Sequence, residues 1–284
     1  MAIELASKFS KYVDERFSAE SKIKMLTNTD FDWAGAHMVK VYKLSTSVMD
    51  NYDRDGSTLT DSKWSRYGMV KGLDATTEEL TLKRGRSFTF AIDKLDEDET
   101  ANALNAAAAL ARQIREVVIP EVDAYTYGVM CENAGNKPDA AVLTSDNIYE
   151  AILAGSSALD DAEAPETNRV LLVTPDTYVV LKRNSDITME TGLGQEQRLL
   201  GVIGLLDGCQ VVKVPKNRVP ADFGFMIAHP SATVAPFKLA EYRIHSDPIG
   251  LSGSLVEGRI CYDAFVLENK AKAIYYQRVK TSVN

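Results

Sequence analysis

The chain has 284 residues, of which 45% are hydrophobic and 25% are charged, as in folded proteins with a sizeable core. Its 32 basic and 40 acidic residues give a net charge of −8, which excludes a nucleic-acid binder that acts through bulk positive charge. The sequence has neither the roughly 18 apolar residues of a membrane-spanning helix nor an N-terminal secretory signal. Three cysteines are too few for a disulfide framework and indicate synthesis in a reducing cytoplasm.

The N-terminal segment has the pattern of a short helix. Residues 2–18 place apolar side chains, including Phe9, at roughly helical spacing and predict an amphipathic helix. This helix could pack on the core of its own subunit or dock as an arm on another subunit. The residues that follow contain serine and threonine without strong periodicity, so both alternatives stay open.

A long hairpin is predicted next. The apolar residues alternate with a period of two from Met38, and this pattern returns within residues 80–92. The polar, glycine-punctuated connection between them far exceeds the about 12–15 residues that are usual for a loop in a compact domain. Aromatic residues within it argue against disorder; they are Tyr52, Trp64 and Tyr67. We expect two strands that extend outward and need a partner surface, because a hairpin has too little core of its own.

The strongest helix pattern follows the hairpin. Four acidic residues, 96–99, suit the positive end of a helix dipole and open an alanine-rich run from Ala101 to Met130. Thirty helical residues would span about 45 Å. Pro120 lies inside the run and predicts a kink near Val117, because proline leaves the carbonyl of residue 116 without its hydrogen-bond donor.

The remainder of the chain has a mixed α/β pattern. Helices are predicted at residues 147–157 and 177–183, and residues 184–201, with Gly192 and Gly194, are predicted to form an exposed loop. Asp207 and Gly208 predict a turn before a strand. The predicted strands span residues 169–174, 210–215, 223–228, 259–267 and 271–279.

The charges are distributed unevenly along the chain. Residues 95–164 contain three basic and fourteen acidic residues, a net charge of −11, whereas residues 40–94 contain ten basic and eight acidic residues, a net charge of +2. The acidic segment is either a solvated face or, in a protein that self-associates, a surface that contacts the basic segment of a neighbouring copy.

No motif predicts catalysis, a cofactor or a metal. The three histidines and three cysteines lack the spacing of metal ligands; they are His37, His229, His245, Cys131, Cys209 and Cys261. Gly192 and Gly194 lack the third glycine of a dinucleotide-binding loop and follow no predicted strand. We therefore expect a protein that is not an enzyme and that binds no cofactor and no metal ion.

The order of these elements resembles that of the major capsid proteins of tailed bacteriophages. Residues 115–125 contain Pro-Glu-Val-Asp-Ala-Tyr and are similar to the spine helix of that family. Residues 170–178 resemble the strand and helix that begin its axial domain, and residues 204–215 resemble its Gly-x-x-Asp-Gly turn and the following strand. Residues 258–275 look like its closing peripheral strands. The resemblance covers nearly the whole chain.

This resemblance implies an α+β protein with the Hong Kong phage-type capsid fold, which encapsulins share. The implied segments are an N-terminal arm (1–36), an extended β-hairpin loop (37–96), the spine helix of the peripheral domain (97–139), an axial domain (140–221), and peripheral-domain strands with axial return segments (222–284). The residues expected at contacts between subunits are Phe9, Arg54, Trp64, Arg66, Arg84, Arg86, Gly192 and Gly194.

The implied function is that of a major capsid protein, which assembles as hexamers and pentamers into an icosahedral shell around double-stranded DNA. The virion is the implied location, and the host cytoplasm is the implied place of synthesis. Implied partners are further copies of the chain, a portal, accessory capsid proteins and, by weak non-specific contact, the packaged DNA; no membrane contact is implied. The large N-terminal scaffolding domain of the family is absent, so a separate scaffolding protein is expected, unless such a domain was removed. The alternatives are an encapsulin-like compartment and, in another class, an uncharacterised α/β enzyme or a monomeric binding module.

Overall fold

The computed structural model describes residues 20–28, 38–57, 59–60, 64–99, 105–184 and 202–280. The described residues form two units: a hairpin unit of residues 38–82, and a main unit of residues 20–28 with 83–280. The helix predicted at residues 2–18 lies outside the described residues. So does almost all of the loop predicted at residues 184–201.

The hairpin unit contains two antiparallel strands. Strand β1 (Met38–Leu44) pairs with β2 (Ala75–Thr81) over its full length, in a register that runs from Met38↔Thr81 to Leu44↔Ala75. The Lys40 ammonium lies 2.7 Å from the carboxylate of Glu79, its partner directly across the ladder. A hairpin at the ends of the long connection is therefore present, but its second strand is residues 75–81; the alternating run at residues 84–93 belongs to the main unit and pairs elsewhere.

The main unit begins with a strand and a series of helices. Strand β3 (Arg84–Asp93) leads into α1 (Lys94–Glu99), and α2 (Ala106–Gln113) continues through a π-helical turn (Ile114–Val118) into α3 (Ile119–Asn133). Helices α4 (Ile148–Asp161) and α5 (Pro175–Arg183) follow. No helix in the described part of the chain is both long and apolar enough to cross a membrane.

The prediction of one helix that continues from the acidic residues was wrong at Asn105. Asn105 has an extended ψ of 133°, and its side-chain oxygen accepts a hydrogen bond from the Ala107 amide at 2.9 Å. Asparagine is a strong N-cap because it satisfies these otherwise unpaired amides, so a new helix begins at Ala106 and the acidic residues belong to α1.

The disturbance expected near Val117 has a form that was not predicted. The Ile119 amide donates to the Ile114 carbonyl, five residues back, which makes residues 114–118 a π-helical turn. This wider turn lies directly before Pro120, the second residue of α3. The helix therefore approaches the proline through a different hydrogen-bond pattern and continues to Asn133.

A three-stranded antiparallel sheet packs against α2. Strand β10 (Gly253–Tyr262) lies between β3 and β9 (Phe237–Ser246). Ile92, Val256 and Ala106 form a buried cluster with partly buried Phe88 and Leu110. One face of this sheet is therefore covered by the alanine-rich helix.

A five-stranded sheet forms the larger core. Its order is β12 (Ile274–Arg278), β7 (Phe223–Ala228), β4 (Val170–Val173), β6 (Cys209–Lys213) and β5 (Val202–Leu206), and only β4 and β6 are parallel neighbours. A separate two-stranded pair consists of β8 (Thr233–Val234) and β11 (Phe265–Val266). All four residues of β4 are buried, as their continuous apolar run predicts. Asp207 and Gly208 have φ values of 46° and 75° and form the predicted turn between β5 and β6.

Residues 20–28 are tied to this core by a buried ion pair. The Arg218 guanidinium lies 2.6 Å from Asp123 on α3, and their side chains are only 3% and 2% exposed. The Ser21 hydroxyl donates to the other Asp123 oxygen at 2.6 Å. Ile23 and Leu26 are buried in the same core, so this short segment is part of the main unit.

Candidate functional site

Exposed apolar side chains are concentrated on the hairpin unit. Of the twenty exposed large apolar residues among those described, twelve lie between residues 38 and 73. We call them the hairpin surface: Met38, Tyr42, Leu44, Val48, Met49, Tyr52, Leu59, Trp64, Tyr67, Met69, Val70 and Leu73. Exposed apolar surface of this extent marks interaction sites, because a monomer in water gains nothing by exposing it.

Short-range hydrogen bonds order the connection that carries the aromatic residues. The Asp53 amide donates to the Arg66 carbonyl at 2.9 Å, and the Asp53 carboxylate accepts from the Gly56 amide at 2.8 Å. The rings of Tyr52 and Tyr67 meet edge to face, with centroids 5.0 Å apart. These bonds fix the backbone while the rings remain accessible.

The predicted contact residues of this connection differ in their surroundings. Trp64 is 72% exposed and lies on the hairpin surface. The Arg66 guanidinium donates to the carbonyl of Arg54 at 3.3 Å, so two of the predicted contact residues are joined within one chain. Tyr52 and Tyr67 were noted in the sequence and are 53% and 81% exposed.

Arg84 and Arg86 both contact α3 of their own chain. The Arg84 guanidinium lies 4.0 Å from the centre of the Tyr125 ring, a cation–π contact. Arg86 Nε donates to Glu121 Oε1 at 2.6 Å. Their intrachain partners were not anticipated, because Glu121 lies 35 residues away from Arg86 in the sequence.

A buried carboxylate holds the backbone that follows β2, and sequence reasoning missed it. Asp263 accepts from the Lys83 amide at 2.8 Å and from the Tyr125 hydroxyl at 2.6 Å. Burial and this hydrogen bond raise the pKa of Tyr125, so its hydroxyl stays protonated and donates. The available signal was an aspartate among the apolar residues of 258–267.

The remaining predicted contact residues, Phe9, Gly192 and Gly194, lie outside the described residues. Within the described ranges, no group of three or more His, Cys, Asp or Glu side chains could hold a metal ion. Burial raises the pKa of the Cys131 thiol to about 12 and also raises that of Cys209, which keeps both thiols neutral. These two cysteines are core residues.

An α+β fold with an exposed apolar hairpin is the architecture expected of a shell-building protein. Residues 75–276 match the family model described as "Phage capsid protein". Because the match covers more than half of the chain, the protein belongs to this family. No curated protein matches the chain.

Solved phage structures share the fold over nearly the whole chain. A chain of Mycobacterium phage Che8 is 17% identical with a TM-score of 0.75, and the alignment covers 96% of each chain. The capsid of Cyanophage P-SCSP1u is 12% identical with a TM-score of 0.70, covering 98% of this chain and 93% of that one. The capsid of Myoviridae Phage XM1 is 13% identical with a TM-score of 0.67, covering 96% of each.

The predicted capsid fold and structural role are thereby confirmed. The chain is a structural phage capsid protein; it assembles with further copies of itself into capsomers, and its location is the capsid of the virion. These findings do not favour an encapsulin-like compartment or an α/β enzyme.

Proposed function

We propose that the hairpin unit fastens neighbouring subunits together in the closed icosahedral shell of hexamers and pentamers. The hairpin surface carries this proposal. Two strands cannot bury so many apolar side chains by themselves, and an isolated two-stranded hairpin is marginally stable in water. A neighbouring subunit buries these side chains, and the free energy of burying apolar surface then stabilises the shell and not the separate chain.

The aromatic residues of the hairpin surface are the proposed anchors. Trp64, Tyr52 and Tyr67 offer large apolar areas with few rotatable bonds, a property of residues that dominate binding energy. Charge has a secondary role: residues 40–94 are net positive, and residues 95–164, net −11, would attract them across subunits. Exposed ion pairs contribute only about 0–1 kcal/mol each, so the apolar anchors decide the strength of the contact.

Deletion of residues 51–68 tests the role of the hairpin. We expect the shortened chain to fold, because the core of the main unit does not include this segment, and to fail to form stable shells. Assembly in cells that also make the phage scaffolding protein would be followed by sedimentation and electron microscopy.

Point variants refine this test. Trp64→Ala with Tyr67→Ala should reproduce the assembly defect, whereas Ile249→Ala, which changes an even more exposed apolar residue of the main unit, should leave assembly normal. Shells of normal yield and heat resistance from the deletion variant would contradict the proposal.

We further propose the roles of the chain segments within the family architecture. Residues 1–36 form the N-terminal arm, 37–96 the extended loop, 97–139 the spine helix, 140–221 the axial domain and 222–284 the peripheral strands with axial return segments. A strand pairing and a shared sheet join these segments across their bounds. Strand β3, at the end of the loop range, pairs with β10, and β12, near the C-terminus, pairs with β7 in the five-stranded sheet.

The same family membership supports a set of partners. We propose a separate scaffolding protein, a portal, accessory capsid proteins and weak, salt-sensitive contact with packaged double-stranded DNA, since phosphate binding requires clustered lysine and arginine. The chain would be made in the host cytoplasm and would act without catalysis. Expression with and without the scaffolding protein, followed by particle counting, tests the first partner; shells of normal shape and yield without it would contradict that proposal.

A further inference from the structure

Three lysine side chains lie at one end of the five-stranded sheet, two of them beside one aromatic ring. The ammonium groups of Lys213 and Lys182 lie 5.0 Å and 5.9 Å from the centre of the Tyr178 ring. Lys216 follows β6 closely and lies 3.2 Å from the Asp176 carboxylate. All three lysines are exposed, so like charges are held together at the surface. We call Lys182, Lys213 and Lys216 the lysine end.

Exposed carboxylates lie where β4 begins. The guanidinium of Arg169, directly before β4, contacts Asp160 at 2.7 Å and donates to the carbonyls of Ala164 at 2.7 Å and Pro165 at 2.9 Å. These contacts fix the turn after α4 against the start of the strand. Its exposed acidic residues, which we call the acidic end, are Asp160, Asp161, Glu163 and Glu166.

The two charged ends lie at opposite ends of the parallel strands β4 and β6. Val170 pairs with Gln210 and Val173 with Lys213, so the strands start together near Arg169 and finish together at the lysine end. Four residues of strand separate the ends by about 13 Å. This distance exceeds the Debye length of about 8 Å at physiological ionic strength, so the two ends of one chain do not neutralise each other.

We propose that the lysine end of each subunit docks on the acidic end of the next copy around a capsomer. A contact between two unlike surfaces runs in one direction from copy to copy, and it generates a ring when the rotation closes. Opposite charges favour this order and disfavour contacts between like ends. The inference rests on the proposed hexamers and pentamers and names the surface that joins their members.

Charge reversal tests the contact from both sides. Lys182→Glu with Lys213→Glu gives a full-length chain whose two ends are both acidic. Asp161→Lys with Glu166→Lys changes the charge of the acidic end, counted together with Arg169, from −3 to +1, so both ends become basic. It leaves Glu163, whose φ of 55° lies in the left-handed region, unchanged. Each variant, expressed with the scaffolding protein, should lose at least ten-fold in capsomer yield by sedimentation. All four changes in one chain exchange the ends and should restore assembly.

Mixing the two reversed variants gives a sharper outcome. An acidic–acidic chain and a basic–basic chain can alternate around a ring, but only a ring with an even number of members closes without a clash of like charges. The mixture should therefore form hexamers without pentamers, and hence tubes or open sheets in electron micrographs. Closed shells from the mixture would overturn the proposal.

The controls separate this contact from folding and from the hairpin. Lys270→Glu with Lys272→Glu makes the same charge change at other exposed positions of the main unit and should assemble like the parent. Circular dichroism of each variant checks the fold, and Lys182→Gln with Lys213→Gln, a milder change, should lower capsomer yield and make it less sensitive to salt than in the parent, because fewer charges remain to be screened. Parent-like assembly of both reversed variants, or no recovery in the four-fold variant, would refute the charged contact and leave the hairpin proposal standing.

Discussion

The hairpin unit and the main unit differ in whether their large apolar side chains are exposed or buried. In the main unit, strands β4 and β7 and helix α3 bury theirs in one continuous core. In the hairpin unit, the aromatic and aliphatic side chains of residues 42–73 remain largely exposed, and local hydrogen bonds order the backbone instead. One chain thus combines a part that buries its apolar side chains with a part that leaves them exposed.

The largest expected effect on the separate subunit comes from its buried ion pair. Arg218→Met leaves the Asp123 carboxylate buried without its countercharge, which should lower the free energy of unfolding by about 3–5 kcal/mol. Urea unfolding of the scaffold-free subunit, followed by circular dichroism, measures this loss. The double variant Asp123→Leu with Arg218→Met should recover most of it; a single variant that loses less than about 1 kcal/mol would contradict the expectation.

A smaller effect is expected from acid. Burial and the charges of Arg169 and Lys270 lower the pKa of His229 below its ordinary value, and its Nδ1 accepts from the Ser231 amide at 3.3 Å. The folded state therefore binds the proton less tightly than the unfolded state. This contribution is complete above the unfolded pKa of about 6.5 and is lost as the pH falls below it.

Because His229 is only partly buried, the pH effect should stay below about 1 kcal/mol. The free energy of unfolding of the parent subunit and of His229→Asn, each measured at about pH 7.5 and at about pH 5, gives this effect, because the two pH values lie on either side of the histidine pKa. The asparagine variant keeps a hydrogen-bond acceptor near Ser231 and should show the smaller decrease. Equal decreases in both proteins would assign the acid sensitivity to other groups.

The smallest effect on the separate subunit should come from the hairpin surface. Tyr67→Ala removes a ring that is 81% exposed, so the free energy of unfolding should change by no more than about 0.5 kcal/mol. The same change should lower the heat resistance of assembled shells. Calorimetry of subunits and of shells gives both values, and a large loss in the subunit alone would mean that Tyr67 packs on its own chain beyond its edge contact with Tyr52.

The sequence anticipated elements with strong and simple patterns. Strands β4, β6, β7 and β12 were found because each is a short apolar run. Strand β9 was missed because it lies at the edge of its sheet and mixes charged and apolar residues. The helix break was missed because the alanine-rich run conceals Asn105, a capping residue whose effect depends on its own backbone angle.

The candidate contact surface was anticipated only in part. Aromatic residues in a long polar connection were enough to predict Trp64 and its neighbours as contact residues. Neither the partner of Arg84, the Tyr125 ring, nor the buried Asp263 could be found, because these contacts join residues that lie far apart in the chain. Pairing of this kind depends on the tertiary fold.

The π-helical turn at residues 114–118 determines which side chains of α3 face the core, because it sets the rotation of α3 about the helix axis relative to α2. Such a turn amounts to one additional residue in an α-helix. Removing one residue there would turn α3 by about 100° relative to α2, since each residue of an α-helix accounts for that angle. Asp123 and Tyr127 would then leave the core while α2 kept its sheet contacts. A single amino acid thus allows one continuous helix to contact both the three-stranded sheet and the larger core.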